Sequence, residues 1–397
     1  MTNEDIMKRI KKFAAIAASA LISGSFIAGC AKSVSVNTSG LMQDINVAPT
    51  QEAAYEQYTK AALDKYYEVA NEHLDGGEID LGDPAVISAA AEAAAKLFAY
   101  ACYNERTLDQ YVFFADQKGE TDLGSKGSAT ALKQEYYLRI NEQEGVTCGY
   151  RYHYTIKKVA RSEGLISSSE SLFENGRTRI TVDTDILYRL EVAGKNTIKI
   201  EGRDSVLGVD MLVCNWKTGS DWGVHDVIMR KSDFIEPEDI KADIEQYATD
   251  DNHTIRANIN ILADNIVKEA MILPLETDDG EIHSYMIIMT IDTEVANNDE
   301  ASITMLGKAN GTKDCAWVDV VDKTSGEIDP GLSIMFTIWP NGLFRGYTVS
   351  ETWKGEISGF SGIADSLTTY WYSYSNRDCD MTRYLEMLDE AKAAKGE

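Results

Sequence analysis

Apolar residues along this chain follow two periods, helical spacing near the start and alternation through most of the remainder. Thr50 ahead of Gln51-Glu52 reads as a helix N-cap, and Asp83 ahead of Pro84 reads as a second. In the helix after Pro84, Val86, Ile87, Ala90, Leu97, Phe98 and Ala101 fall on one side, which predicts a packed core face. Helical spacing also predicts a third helix over Ala129–Ile140. The texture then changes: Tyr150, Tyr152 and Tyr154 share one side of a strand while Arg151 and His153 share the other. Turn signals at Glu174-Asn175-Gly176, Ala193-Gly194-Lys195-Asn196 and Thr218-Gly219-Ser220-Asp221 follow. They divide a meander into expected strands at Arg177–Asp183, Ile186–Val192, Thr197–Glu201, Val206–Trp216 and Trp222–Met229.

Glu236-Pro237-Glu238-Asp239 opens an expected helix to about Tyr247, and Ile255–Leu262 fits a helix better than a strand. A second meander has turns at Thr277-Asp278-Asp279-Gly280, Asn310-Gly311, Ser325-Gly326 and Pro340-Asn341-Gly342. Its expected strands are Met271–Leu275, Ile282–Val295, Ala301–Gly307, Cys315–Val321, Leu332–Trp339, Leu343–Trp353 and Leu367–Tyr374, and Asp380 caps a last helix to about Ala394. The pattern predicts an α+β chain of two antiparallel β-meander sheets, each flanked by helices, similar to cystatin-like or nuclear-transport-factor-like cones. Segregated helices and strands argue against a transporter solute-binding protein, which alternates them around parallel sheets.

The first thirty residues are of another kind. Lys8, Arg9, Lys11 and Lys12 form a basic run, Phe13 to Gly29 carry no charge, and Ile27-Ala28-Gly29-Cys30 closes the segment. This leader resembles that of bacterial lipoproteins, with Ile27 standing where Leu is commonest in the lipobox. The resemblance implies a diacylglyceryl group on Cys30, removal of residues 1–29 as a signal peptide, and a mature protein anchored to the membrane from its extracytoplasmic side. Two acyl chains suffice for stable anchoring where one gives only marginal binding.

Residues 30–50 then read as a lipidated flexible tether of Ser, Thr, Asn and Gly, with a coil reach of roughly 25 Å. Residues 51–248 form an expected N-terminal α+β domain, helices then meander, and 249–397 a C-terminal one, meander then helix. The chain of 397 residues has a formal net charge of −26, and the leader holds two more basic than acidic residues, so its removal leaves −28. Such a field disfavours nucleic acid and favours cations or basic partners. Of six Cys, five remain once Cys30 is lipidated, an odd number without a CxxC pair.

Candidate chemistry is sparse. The five His form no His-Glu-x-x-His or His-x-His set, Ser358-Gly359-Phe360-Ser361-Gly362 misses the nucleophile-elbow spacing, and the acidic run Asp75–Asp83 misses the calcium-loop pattern. Cys214 with His225 is the nearest approach to a thiol site, outweighed by the buried structural cysteine that is the usual state of a thiol. No catalytic residue, metal ligand or cofactor is assigned. The aromatic stretch Tyr370, Trp371, Tyr372 and Tyr374, with Trp339 and Trp353, is the candidate contact surface for a ligand or partner, because flat rings stack on sugars and on partner side chains. The expectation is a non-catalytic, lipid-anchored lipoprotein of the cell envelope that binds an envelope protein or polysaccharide. An envelope hydrolase with an unrecognised site, or a structural or assembly factor, is the alternative.

Overall fold

The computed structural model describes residues 42–106, 108, 110–122, 128–141, 147–159, 162–174, 177–184, 203–204, 210–211, 227–228, 266–277, 279–298, 313–321, 328–357, 360–380 and 382. Helices α1 (Glu56–Ala70), α2 (Pro84–Arg106) and α3 (Thr293–Asn298) accompany a much larger set of strands. These are β1 (Leu74–Asp75), β2 (Glu78–Ile79), β3 (Gln110–Asp122), β4 (Ser128–Asn141), β5 (Thr147–Val159), β6 (Ser162–Glu174), β7 (Arg177–Thr184), β8 (Arg203–Asp204), β9 (Asp210–Met211) and β10 (Val227–Ile228). They continue as β11 (Val267–Glu276), β12 (Ile282–Ile291), β13 (Lys313–Trp317), β14 (Val320–Val321), β15 (Ile328–Asp329), β16 (Leu332–Ile338), β17 (Phe344–Ile357) and β18 (Phe360–Ser373). Twelve strands belong to a large sheet; β1-β2, β8-β9 and β14-β15 form separate two-stranded ladders. Every pairing with a described register is antiparallel.

The chain divides into two compact units, each discontinuous in sequence. Among the described residues, the first holds those in 52–108 and 266–369, and the second those in 42–51, 110–228 and 370–382. The expected boundary near residue 248 lies outside the described residues, as do the helices expected at Glu236–Tyr247, at Ile255–Leu262 and beyond Thr382, and the strand at Ala301–Gly307.

In the first unit the order is β17-β16-β12-β11, with short turns joining β11 to β12 and β16 to β17, a long connection from β12 to β16, and β13 also on β17. The turn Trp339–Leu343 closes β16 onto β17: Gly342 takes φ 84° and donates its N–H to Trp339 O at 2.8 Å. Hydrogen bonds Thr348–Thr369 (3.2 Å) and Thr352–Asp365 (2.7 Å) lie four residues apart on each strand, as an antiparallel β17–β18 register requires. Helix α2 starts where expected, with Asp83 Oδ1 accepting from Ala85 N at 2.7 Å. It is apolar and long enough to cross a membrane, yet Ala94, Leu97, Ala99 and Ala101 are fully buried in this fold. Its Phe98 meets Phe336, Phe344 and Tyr347 edge-on at 5.3, 5.4 and 5.7 Å. Glu92, flanked by Lys65 at 2.6 Å and Lys96 at 2.8 Å, clips α1 to α2, and those cations hold its carboxyl down at about 2.

Several expectations are corrected. Ala129–Ile140 is strand β4, not a helix: it is hydrogen-bonded to β3 on one side and β5 on the other, and two full ladders outweigh the helix preference of Ala, Leu, Lys and Glu. The strand expected through Val295 stops at Ile291. Asp292 Oδ1 there accepts from Glu294 N (2.9 Å) and Val295 N (3.1 Å), which caps α3 instead. Thr50 caps nothing; α1 begins at Glu56 behind Tyr55, whose own N–H donates to Asn104 Oδ1 at 2.8 Å. Both meanders are antiparallel, as expected, and most of the described strands belong to a large sheet.

In the second unit the order is β10-β7-β6-β5-β4-β3, followed by the end of β18. Residues 42–51 are fastened to the segment after β18. The buried Asp378 carboxylate accepts from Gln43 N (2.9 and 3.0 Å) and Asp44 N (2.7 Å), and Arg377 pairs with Asp44. Gln51 Nε2 donates to Gln110 O (3.0 Å) and Tyr374 O (3.3 Å). Replacing Asp378 with Ala leaves these backbone donors without an acceptor, at a cost of about 1–3 kcal/mol. Limited proteolysis of that variant is expected to cleave within residues 42–51 faster than in wild type; equal cleavage would show that the carboxylate is not the fastener.

Candidate functional site

The aromatic residues expected to form a contact surface occupy different environments. Tyr370 and Trp371 are half-buried: Tyr370 meets Phe113 edge-on at 5.7 Å, and Trp371 stacks on Phe114 at 5.7 Å. Tyr372 lies among Tyr111 (6.5 Å), Phe113 (5.7 Å) and Tyr374 (6.3 Å), and it and Tyr374 are only 4% and 5% exposed. Alternation along β18 divides these residues between faces, so that Phe113 takes Tyr370 and Tyr372 while Phe114 takes Trp371.

Trp339 is buried in the turn after β16, with the His283 ring edge-on at 4.9 Å and the Arg345 guanidinium 5.4 Å from its centroid. The β16–β17 register skips Arg345 between Gly346 and Phe344, so a bulge carries it there. Burial, then the Arg345 charge, lowers the His283 pKa. Trp353 lies ten residues along the chain from Leu343, so Trp339 and Trp353 belong to opposite ends of β17. Cys30, Cys214 and His225 lie outside the described residues. Cys379 is buried, and burial, then the Asp378 charge, pushes its thiol up to about 12, which leaves no nucleophilic thiolate at neutral pH.

Around Trp353 the structure assembles a group that sequence reasoning did not single out. Trp317 stands opposite Trp353 in the ladder between β13 and β17. Its indole is 1% exposed, and its Nε1–H donates to Glu351 Oε1 at 3.1 Å. Alternation along β17 sets Glu351 and Trp353 on one face, and both side chains are half-buried. Trp317 is held from behind: Asn297 Nδ2 donates to its carbonyl at 2.8 Å, and its own N–H donates to Asn297 Oδ1 at 2.9 Å. The next residues form a knot in which Val318 N donates to Thr352 O (3.0 Å), Thr352 N to Gly331 O (2.8 Å) and Gly331 N to Asp319 Oδ1 (2.8 Å). A Cβ at position 331 would stand 2.6 Å from the Val318 backbone, so only Gly permits this approach.

Desolvation raises the Glu351 pKa, and the Trp317 hydrogen bond lowers it in part. The pattern Tyr347, Val349, Glu351, Trp353 contains the missed signal, an ionisable residue at an inward position among apolar ones. Among the described residues, no group of three or more His, Cys, Asp or Glu is placed to hold a metal ion.

The described chain is thus an α+β protein dominated by a large antiparallel sheet, with a half-buried carboxyl that accepts a hydrogen bond from a buried indole where β13 meets β17. No family model matches the chain, and no curated protein does. Among solved structures, a DUF1329 family protein from Desulfovibrio piger is 9% identical, with TM-score 0.16, over 73% of this chain and 99% of that one. A triple-mutant porin of Rhodopseudomonas blastica is 8% identical, with TM-score 0.15, over 66% and 99%. These likenesses define no family for this chain.

A carboxyl whose folded pKa is raised loses stability as pH rises from the unfolded group's range through the folded value. Glu351→Gln keeps an acceptor for Trp317 and removes that loss. The variant is expected to melt above wild type at pH 7, with the gain shrinking as pH falls through about 4.3, the unfolded group's value, and vanishing below it, where the carboxyl is protonated in both states. A wild type more stable than the variant at pH 7 would contradict this account of the carboxyl.

Proposed function

We propose that this chain is a lipid-anchored, extracytoplasmic protein of the cell envelope that binds a partner and carries no catalytic centre. The run from Lys8 to Cys30 carries the reading, because a basic segment, an uncharged stretch of 17 residues and a small-residue cut before Cys suit export and lipidation of Cys30. The net charge of −26 supports an exported, soluble surface that attracts cationic groups. Half-buried aromatic side chains on strand faces, Tyr370 and Trp371 in the second unit and Trp353 in the first, supply flat surface for a partner, and the deeply buried Tyr372 and Tyr374 belong to the same strand end as Tyr370 and Trp371.

The test is mass analysis of the N-terminal peptide from detergent-solubilised envelopes, with wild type and Cys30→Ser compared for membrane partition and co-purifying molecules. A diacylglyceryl mass on Cys30, with loss of membrane partition in the variant, is the expected result. An unmodified N-terminus, or a variant that stays with the membrane, would overturn the anchor.

A further inference from the structure

Glu351 is the point at which the acidic character of this chain meets its aromatic residues. Among the described residues its carboxyl receives one hydrogen bond, from Trp317 Nε1, and no Lys or Arg is paired with it. Trp317 forms a buried floor, and Trp353, its partner across the ladder, flanks the carboxyl two residues along β17. The Asn297 clamp and the Gly331–Val318 approach fix the floor through contacts within the fold, so the group is pre-organised.

We propose that Trp317, Glu351 and Trp353 form a recognition site for an organic cation, the ammonium or guanidinium group of a basic side chain on a partner protein. The proposal rests on the binding reading above and names the partner's chemistry. Three physical arguments converge. A carboxyl in a partly dry setting carries a desolvation penalty that an arriving cation relieves, and a charge-assisted hydrogen bond to it is about twice as strong as a neutral one. The face of an indole carries negative potential and attracts cations, most strongly when water is excluded, and the half-buried Trp353 has surface open to one. A chain of net charge −26 concentrates cations and basic proteins at its surface, which raises the rate of encounter. A neutral sugar, by contrast, needs several donors and acceptors around its ring, and this site presents one carboxyl beside one half-buried indole.

The experiment titrates the full chain with a fluorescently labelled peptide containing Lys and Arg, read by anisotropy. An otherwise identical peptide with Gln in place of both is the control, and a labelled neutral oligosaccharide is the third probe. The expected result is saturable binding of the basic peptide only, weakened about tenfold or more by Glu351→Gln and severalfold by Trp353→Leu, with affinity falling as salt is raised. Circular dichroism of both variants separates loss of the site from loss of the fold. Equal binding by wild type and Glu351→Gln, binding of the Gln peptide or oligosaccharide as tightly as the basic peptide, or no binding would each overturn the site. Any of these with a diacylglyceryl mass on Cys30 leaves the envelope reading standing. Specific peptide binding by a chain whose Cys30 is unmodified overturns the anchor and leaves the site.

Discussion

Every residue of β16, Leu332 to Ile338, is buried, although successive side chains point to opposite faces of the sheet. That double burial is the constraint from which the first unit is built. A strand covered on both faces must satisfy its backbone on both edges, and β16 does so with β12 on one side and β17 on the other. On one face Phe98 of α2 brings an aromatic ring onto Phe336, Phe344 and Tyr347, which explains why a helix apolar enough to span a bilayer is instead a core helix. Burying a Phe of this kind is worth about 3–5 kcal/mol against truncation to Ala, a large share of the stability of a domain.

The two ends of β16 are where tight geometry meets chemistry. Its exit is the Trp339–Leu343 turn, in which Gly342 supplies a positive φ that other residues adopt at a cost. Its entrance is Gly331, pressed against the Val318 backbone, and this approach docks the stretch after β13 onto β17. The consequence is felt at Trp317, one residue away, whose indole covers Glu351 and donates to it. Packing thus holds an aromatic floor against a carboxyl whose charge its surroundings disfavour. Such a carboxyl costs stability, and a binding role is a physical reason for a chain to keep it.

Local signals are legible where one residue type has one stereochemical use. Asp83 before Pro84 marks the start of α2, and Pro340-Asn341-Gly342 marks the β16–β17 turn. They fail where distant pairing decides. Ala129–Ile140 has helical composition, and the ladders with β3 and β5 that make it a strand are written in other parts of the chain. Asp292-Thr293-Glu294 holds a legible cap, hidden by the apolar alternation that precedes it in β12. Of the candidate site, Trp353 is legible as an aromatic on a strand. Glu351 is visible only as a break in an inward-facing apolar series, and Trp317 requires the β13–β17 register to come into view.

The most direct test is thermal unfolding of Gly331→Ala beside wild type, followed by intrinsic indole emission. The added methyl has no space, so the predicted result is a midpoint lower by several degrees, equivalent to about 1–3 kcal/mol of overpacking, with red-shifted emission in the folded state as the Trp317 floor lifts from Glu351. An unchanged midpoint and unchanged emission would contradict the claim that the Gly331–Val318 approach holds the site together.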